Sequence, residues 1–284
     1  MTPFVVTRSH NDMPIISETL AGLHEQDHEF ELICLDNESD DGTVEELRKY
    51  TNRIVNIPKG SYIPGRVLNL GMGLAQSEKV VFLNSDCSPQ NKSWLRNLLT
   101  GFGANGRIAA VFGRQVPRLN CRPLFAKDTE STYGDGSLQK YWKHCFSMAS
   151  SAISRSVWES QKFNENIRYS EDIEWTWRAR QRGYSIEYVA DSVVTHSHNY
   201  TLGQFYRRHY GEGQAEAVIF PWTKWERSLL RYSLLPCGRQ VLSDWNYCLP
   251  KALYGAALYS PLLRLAQMLG RRRGFQAGLK EKNQ

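Results

Sequence analysis

No run of eighteen or more apolar residues occurs in this 284-residue chain, so no segment is expected to cross a bilayer as a helix. The N-terminus runs straight into PFVVTRSH, without the basic segment and apolar stretch of a secretory leader, and none is expected. The six cysteines (34, 87, 121, 145, 237 and 248) include no CxxC pair and no metal-type spacing. That argues against a zinc module and for free thiols in a reducing compartment. Internal repeats and low-complexity tracts are also missing. Gly71 and Gly73 lack the third glycine of a dinucleotide fingerprint and do not follow a strand, which disfavours a dehydrogenase.

What remains is ordinary for a globular α/β protein: 41% hydrophobic and 23% charged residues, with a net charge of +6. The charge is uneven. From Lys224 onward eleven Lys/Arg face three acids (Glu226, Asp244, Glu281), a net of +8, which leaves −2 for the rest. The basic residues lie on apolar-rich segments rather than beside stacking platforms, so a nucleic-acid partner is not expected.

Phe4-Val5-Val6, Leu32 to Leu35, Arg53 to Ile57, Val80 to Leu83 and Ile108 to Phe112 read as strands. Pro14 to Gln26, Thr43 to Tyr50, Arg66 to Gln76 and Lys92 to Thr100 read as helices between them. The alternation predicts a mainly parallel central sheet with helices on both faces. Residues 113–147 lose their period and read as loops over the sheet. A helix is expected over Ser170 to Arg182, ending at Gly183, followed by strand-like Ile186 to Ala190 and Val193-Val194. Beyond residue 221 the pattern becomes apolar and basic. Pro236, Pro250 and Pro261 are expected to cut it into short helices.

Three strands end in polar clusters: Thr7 to Asp12, Asp36 to Gly42, and Asn84-Ser85-Asp86. Ligands of open parallel sheets bind beyond the carboxyl ends of the strands, so a shared site is plausible. Capping of the following helices is the competing reading, chiefly for Asp40 and Asp41. The stretch VVFLNSDCSP poses the question sharply. A buried carboxylate without a partner is costly, so Asp86 either emerges from the core or holds something positive.

Taken in order, VVTRSHND, ELICLDNESDDGT, VLNLGMGLAQSEKVVFLNSDCSP and YSEDIEWTWRARQRGYSIEYVADSVVTHSH resemble the motifs of family 2 glycosyltransferases. The likeness covers about residues 4–215, and GRQVPR and HSHNYTLGQFYRR resemble bacterial rhamnosyltransferase-like members in particular. It implies a GT-A fold over residues 1–221, with a basic amphipathic helical extension over 222–284. It also implies inverting transfer from a nucleotide-diphosphate sugar (UDP- or dTDP-linked, with rhamnose suggested). The acceptor would be a saccharide or lipid-linked saccharide of a bacterial surface polysaccharide.

By the same resemblance Thr7, Arg8, Asp36, Arg66, Asn69, Ser85 and Asp86 face the nucleotide sugar. The family's D-x-D metal motif is here Asn84-Ser85-Asp86. The first acid is absent, and Asp86 matches the position that usually touches the metal. His196 or His198 would supply a second ligand to Mn²⁺ or Mg²⁺. Asp172 maps onto the catalytic base, with Glu171 beside it, although acids at a helix start are favoured in any case. Trp175, on the face of Asp172, is either a platform for a sugar ring or core. Gln115, with Arg114, is placed near the donor sugar, and Arg207 and Arg208 either reach the diphosphate or form a solvated face.

The tail's mixture of Leu, Tyr and Trp with Lys/Arg suits a helix lying on an anionic membrane surface. That reading places the protein in the cytoplasm, peripheral on the inner face of the plasma membrane; packing on the domain is the competing reading. The absent first acid motivates one other function, a catalytically weakened sugar-nucleotide-binding or scaffold protein.

Overall fold

The computed structural model describes residues 2–103 and 107–282 and divides into two compact units. The first comprises residues up to 118 together with 129–166 and 171–196; the second comprises 119–128, 167–170 and 197 onward.

The first unit is a three-layer α/β structure. Strands β1 (Phe4–Ser9), β2 (Glu31–Asp36), β3 (Ile54–Asn56), β4 (Lys79–Asn84), β5 (Ser88–Pro89), β6 (Ile108–Val116), β7 (Ser150–Ser154) and β8 (Ser185–Thr195) form one sheet in the order β3-β2-β1-β4-β7-β6-β8-β5. The β1–β2, β1–β4, β2–β3 and β6–β8 pairings are parallel; those of β7 with β4 and β6, and of β5 with β8, are antiparallel. Alternation along β1 sorts the core: Phe4 and Val6 join one buried cluster and Val5 the other. Helix α3 (Pro64–Leu74) covers the first face through Val67, Leu68 and Met72, with α6 (Arg155–Ser160) and α7 (Glu171–Gln181) beside it. Helices α1 (Ile15–His24) and α4 (Trp94–Thr100) cover the second, and α2 (Thr43–Leu47) adds Leu47 to that cluster. Gly71 lets α3 approach closely, since a Cβ there would lie 2.9 Å from Val6 Cγ1 and 3.2 Å from the Phe82 ring.

Because β7 runs antiparallel to its neighbours, its N-terminal end lies at the same edge as the C-terminal ends of β1, β4 and β6. Residues 147–149 are thereby brought to the mouth of the strands. Asn84 N–H donates to Ala149 O (2.9 Å), which ties the two segments together.

The loop expectation for 113–147 is corrected. Strand β6 runs on to Val116, and α5 (Pro123–Tyr133) follows. The helical period was hidden because α5 buries a charge: Lys127 Nζ donates to Asp244 Oδ1 at 2.8 Å within the second unit.

In that unit α8 (Leu202–Ile219) starts with a capping box between Thr201 and Gln204. It packs against α10 (Tyr254–Lys282) closely enough that a Cβ on Gly274 would lie 1.9 Å from Tyr210 O. A π-helical turn over Leu230–Leu234 leads into α9 (Leu235–Cys248), and a 3₁₀ turn over Leu249–Lys251 follows. Pro236 sits in the first turn of α9 and Pro250 in the 3₁₀ turn, but Pro261 lies inside the 29-residue α10, against expectation. The proline ring removes the N–H that would bond Ala257 O, and the Trp245 indole N–H takes that carbonyl instead at 3.0 Å. Among the described residues no helix is long and apolar enough to cross a membrane.

Candidate active site

The site lies wholly in the first unit, at the carboxyl edge of the sheet. Strand β4 ends at Asn84 and turns immediately, Cys87 N–H closing onto Asn84 O at 3.0 Å, so Ser85 and Asp86 leave the sheet where it opens. Asp86 stays partly exposed, and its Oδ2 lies 3.4 Å from His196 Nε2. Asp86, Cys87 and His196 each offer a ligand atom, all within 4.8 Å of one another. Cys87 is wholly buried, and burial pushes its thiol well above its ordinary value, whereas Asp86 and His196 are partly exposed and form the pair open to solvent. One carboxylate plus one imidazole fits a divalent cation of the Mn²⁺ or Mg²⁺ kind. His196 is held from its other side by Gln115, Nδ1 to Oε1 at 2.7 Å. His198 belongs to the second unit, its ring 5.2 Å from that of Tyr200.

A carboxylate pair stands at the same edge. Helix α7 begins with Glu171 and Asp172. Asp172 accepts the N–H of Ile173 (2.8 Å) and of Met148 (3.2 Å), the latter from the segment β7 delivers. Arg8, next to last in β1, lies between the two groups. Its guanidinium donates to Asn84 Oδ1 at 2.8 Å and stands 3.9 Å from Glu171 Oε1. Burial raises the Glu171 carboxyl well above the usual carboxylate range, and the Asp172 charge adds to it while Arg8 opposes. Asp172 is raised as well, chiefly by burial, against its backbone N–H donors and Arg8. Polar contacts thus link Asp86, His196, Gln115 and Ser147, whose chain neighbour Met148 reaches Asp172, while Arg8 links Glu171 to Asn84.

Asp36, at the end of β2, is buried and accepts from Ser9 Oγ (2.7 Å), Ser39 Oγ (2.6 Å) and Ser39 N–H (2.9 Å). It borders a cleft of about 480 Å³ lined also by Val44, Arg48, Asn52, Ile54 and Asn56. Arg66 is exposed on α3 and pairs with Glu165 at 3.3 Å.

Three residues expected at the ligand are buried or bonded elsewhere. Thr7 is wholly buried in the sheet. Asn69 spends all four amide hydrogen bonds on Trp158, Glu165 and both backbone groups of Phe163, so it fixes the 163–165 loop. Trp175 is also wholly buried, with its ring stacked on Phe163 at 5.2 Å and its N–H on Gln161 O, which leaves no face for a sugar. Arg208, in the second unit, pairs with Glu212 at 2.9 Å.

The structure also brings in two residues to which the sequence assigned no individual role. Asp12, read only as a member of the polar cluster after the first strand, accepts from Ser85 Oγ at 2.5 Å and from His10 N–H at 2.8 Å. Its carboxyl is raised by burial and by nearby Asp86 and Asp41. Arg118, quoted only within GRQVPR, donates to Asp86 O at 2.9 Å and to Glu18 at 2.8 Å. No local spacing signals either contact, because each joins segments far apart in the chain.

A family model described as glycosyl transferase family 2 matches residues 4–160. The O-antigen chain rhamnosyltransferase WbaN of Salmonella anatum is 34% identical over 203 residues, 68% of this chain and 64% of that protein. The O-antigen chain rhamnosyltransferase RfbN of Salmonella typhimurium is 31% identical over 67% of this chain and 64% of its own length. The chain therefore spans a little under two thirds of these curated relatives. Among solved structures, the mannosyltransferase PcManGT of Pyrobaculum calidifontis, in complex with GDP-Man and Mn²⁺, superposes with a TM-score of 0.67 at 17% identity, over 99% of this chain and 88% of that one. A glucosyl-3-phosphoglycerate synthase of Mycobacterium tuberculosis, in complex with Mn²⁺, UDP and phosphoglyceric acid, gives 0.58 at 18%, over 78% and 80%. These likenesses show the GT-A fold. With its bacterial rhamnosyltransferase-like sequence, the chain belongs to glycosyl transferase family 2.

Proposed function

We propose that this protein is an inverting glycosyltransferase that moves a sugar from a UDP- or dTDP-linked donor to a hydroxyl of a saccharide or lipid-linked saccharide. The pathway would be synthesis of a bacterial surface polysaccharide. Rhamnose is the sugar favoured by the names of the two Salmonella relatives. One observation carries the reading: the Glu171–Asp172 pair and the Asp86–His196 pair meet at one strand edge, joined through Arg8 and Asn84.

In this reading Asp36 and its cleft receive the base, and Asp86 with His196 holds Mn²⁺ or Mg²⁺. Such a cation, when bound, neutralises the growing charge of the leaving diphosphate. Asp172 takes the acceptor hydroxyl's proton as that oxygen bonds to the anomeric carbon and the bond to phosphate breaks. Its backbone donors aim the carboxylate, and burial raises its affinity for the proton it must accept. Arg8 keeps the neighbouring acids and Asn84 in register. The second unit, basic and rich in exposed leucines, would rest on anionic lipid at the inner face of the plasma membrane.

The replacement of an acid by Asn84, whose Oδ1 is taken by Arg8, favours one other reading, a sugar-nucleotide binder without turnover. Incubation with UDP- and dTDP-sugars, Mn²⁺ and a lipid-linked saccharide decides between them. Release of nucleoside diphosphate with a product of inverted anomeric configuration supports transfer. Binding with no release under any donor overturns it.

A further inference from the structure

Gln115 was placed beside the donor sugar on sequence grounds, yet it is 3% exposed and has no surface to offer a substrate. Its amide oxygen faces His196 Nδ1 at 2.7 Å, and its amide nitrogen faces Ser147 Oγ at 2.9 Å. Ser147 Oγ in turn takes the Ala149 N–H at 3.3 Å, which anchors the amide to the segment leading into β7. We propose that Gln115 is a positioning residue whose carbonyl oxygen holds the proton of His196 on Nδ1, so that the Nε2 lone pair faces Asp86 and a divalent cation.

The argument is one of complementary donors and acceptors. A neutral imidazole has one N–H and one lone pair, and the partner of one nitrogen decides the state of the other. An amide oxygen can only accept, so a Gln115 carbonyl at Nδ1 requires the proton there. Nε2, 3.4 Å from Asp86 Oδ2, is then the ligating atom. The reversed amide would donate to Nδ1, put the proton on Nε2 and direct it at Asp86, closing the position to a metal. Gln115 and His196 come from adjacent parallel strands: Val116 pairs with Thr195, and His196 N–H donates to Val116 O at 2.9 Å. The register of β6 and β8 therefore builds the contact, and a glutamine reaches across it without adding a charge beside the cation.

This inference rests on the proposed cation at Asp86 and His196, and the test separates the two. Mn²⁺ alone is titrated into the full chain and followed by electron paramagnetic resonance, for wild type, Gln115→Leu, Gln115→Glu and His196→Ala. Histidine-selective ¹⁵N NMR of the metal-free protein reads the imidazole tautomer. We expect Nδ1–H in the wild type. Gln115→Leu should weaken Mn²⁺ binding about 10- to 100-fold, as loss of a ligand's outer partner does. Gln115→Glu, which can only accept, should bind Mn²⁺ no more than about threefold more weakly than wild type, its added negative charge acting only to strengthen binding. A wild-type proton on Nε2 would overturn the proposal, as would Gln115→Leu binding like wild type or Gln115→Glu binding as weakly as Gln115→Leu. Undiminished Mn²⁺ binding by His196→Ala would instead remove the cation reading on which it stands.

Discussion

At the residue scale, Glu171, buried, and Asp172, partly buried, share one N-terminal turn of α7, with Arg8 3.9 Å from Glu171. Burial suits Asp172 to the role of base proposed for it, because it raises the carboxylate's affinity for a proton. Asp172→Asn keeps the shape and removes the lone pair that takes the proton. Transfer should fall by at least about 10³-fold, while donor affinity, followed by calorimetry, stays within about threefold. The same burial sets a pH dependence of stability. The native state keeps the Glu171 proton to higher pH than the unfolded chain, whose carboxyl titrates near 4.5. Stability is therefore lost as pH rises above that value. Glu171→Gln abolishes the cost of ionising there, so its gain in Tm over wild type should be larger at pH 8 than at pH 5. Equal differences at both pH values would show that Glu171 is solvated.

At the scale of elements, the legible parts were those whose pattern is local. β1, β2 and β4 are buried on both faces and read as apolar runs, and their polar ends lie together at the carboxyl edge of the sheet. The acid at 172 and the histidine at 196 could be placed on helix start and strand end for the same reason. Where a long-range contact overrides local preference, the sequence was silent or misleading. Helix α5 looked like loop because Lys127 and Asp128 read as surface, yet they pair with Asp244 and Arg264. Pro261 looked like a break, yet the Trp245 indole satisfies the carbonyl it frees. Trp245→Phe leaves that carbonyl without its donor and should cost about 1–2 kcal/mol in denaturant unfolding. The close seam of α8 and α10 gives a sharper case. A side chain at 274 would meet the Tyr210 carbonyl, so Gly274→Leu should separate the helices and lower Tm by several degrees. An unchanged melting curve would mean that the seam is not packed in solution.

At the scale of the whole molecule, charge and apolar exposure concentrate in the second unit. Leu258 is 83% exposed, with Tyr254 and Leu262 on the same side of α10 at spacings of four, and Lys251 lies just before the helix. An apolar stripe with nearby cations suits the boundary between head groups and acyl chains. Flotation with vesicles containing phosphatidylglycerol should recover the wild-type chain, and Leu258→Glu with Leu262→Glu should lower recovery about fivefold or more. Equal recovery would remove the membrane from the account. The proposed chemistry lies in the first unit, and its central claim is spatial: a cation gripped by Asp86 and His196 would share one pocket with the carboxylate of Asp172. The most direct measurement is an anomalous difference map from a crystal grown with Mn²⁺ and UDP. The account predicts one strong peak within coordination distance of Asp86 and His196 Nε2, with diphosphate oxygens completing its shell and Asp172 lining the same cavity. A peak elsewhere, or a diphosphate bound away from Asp172, would contradict it.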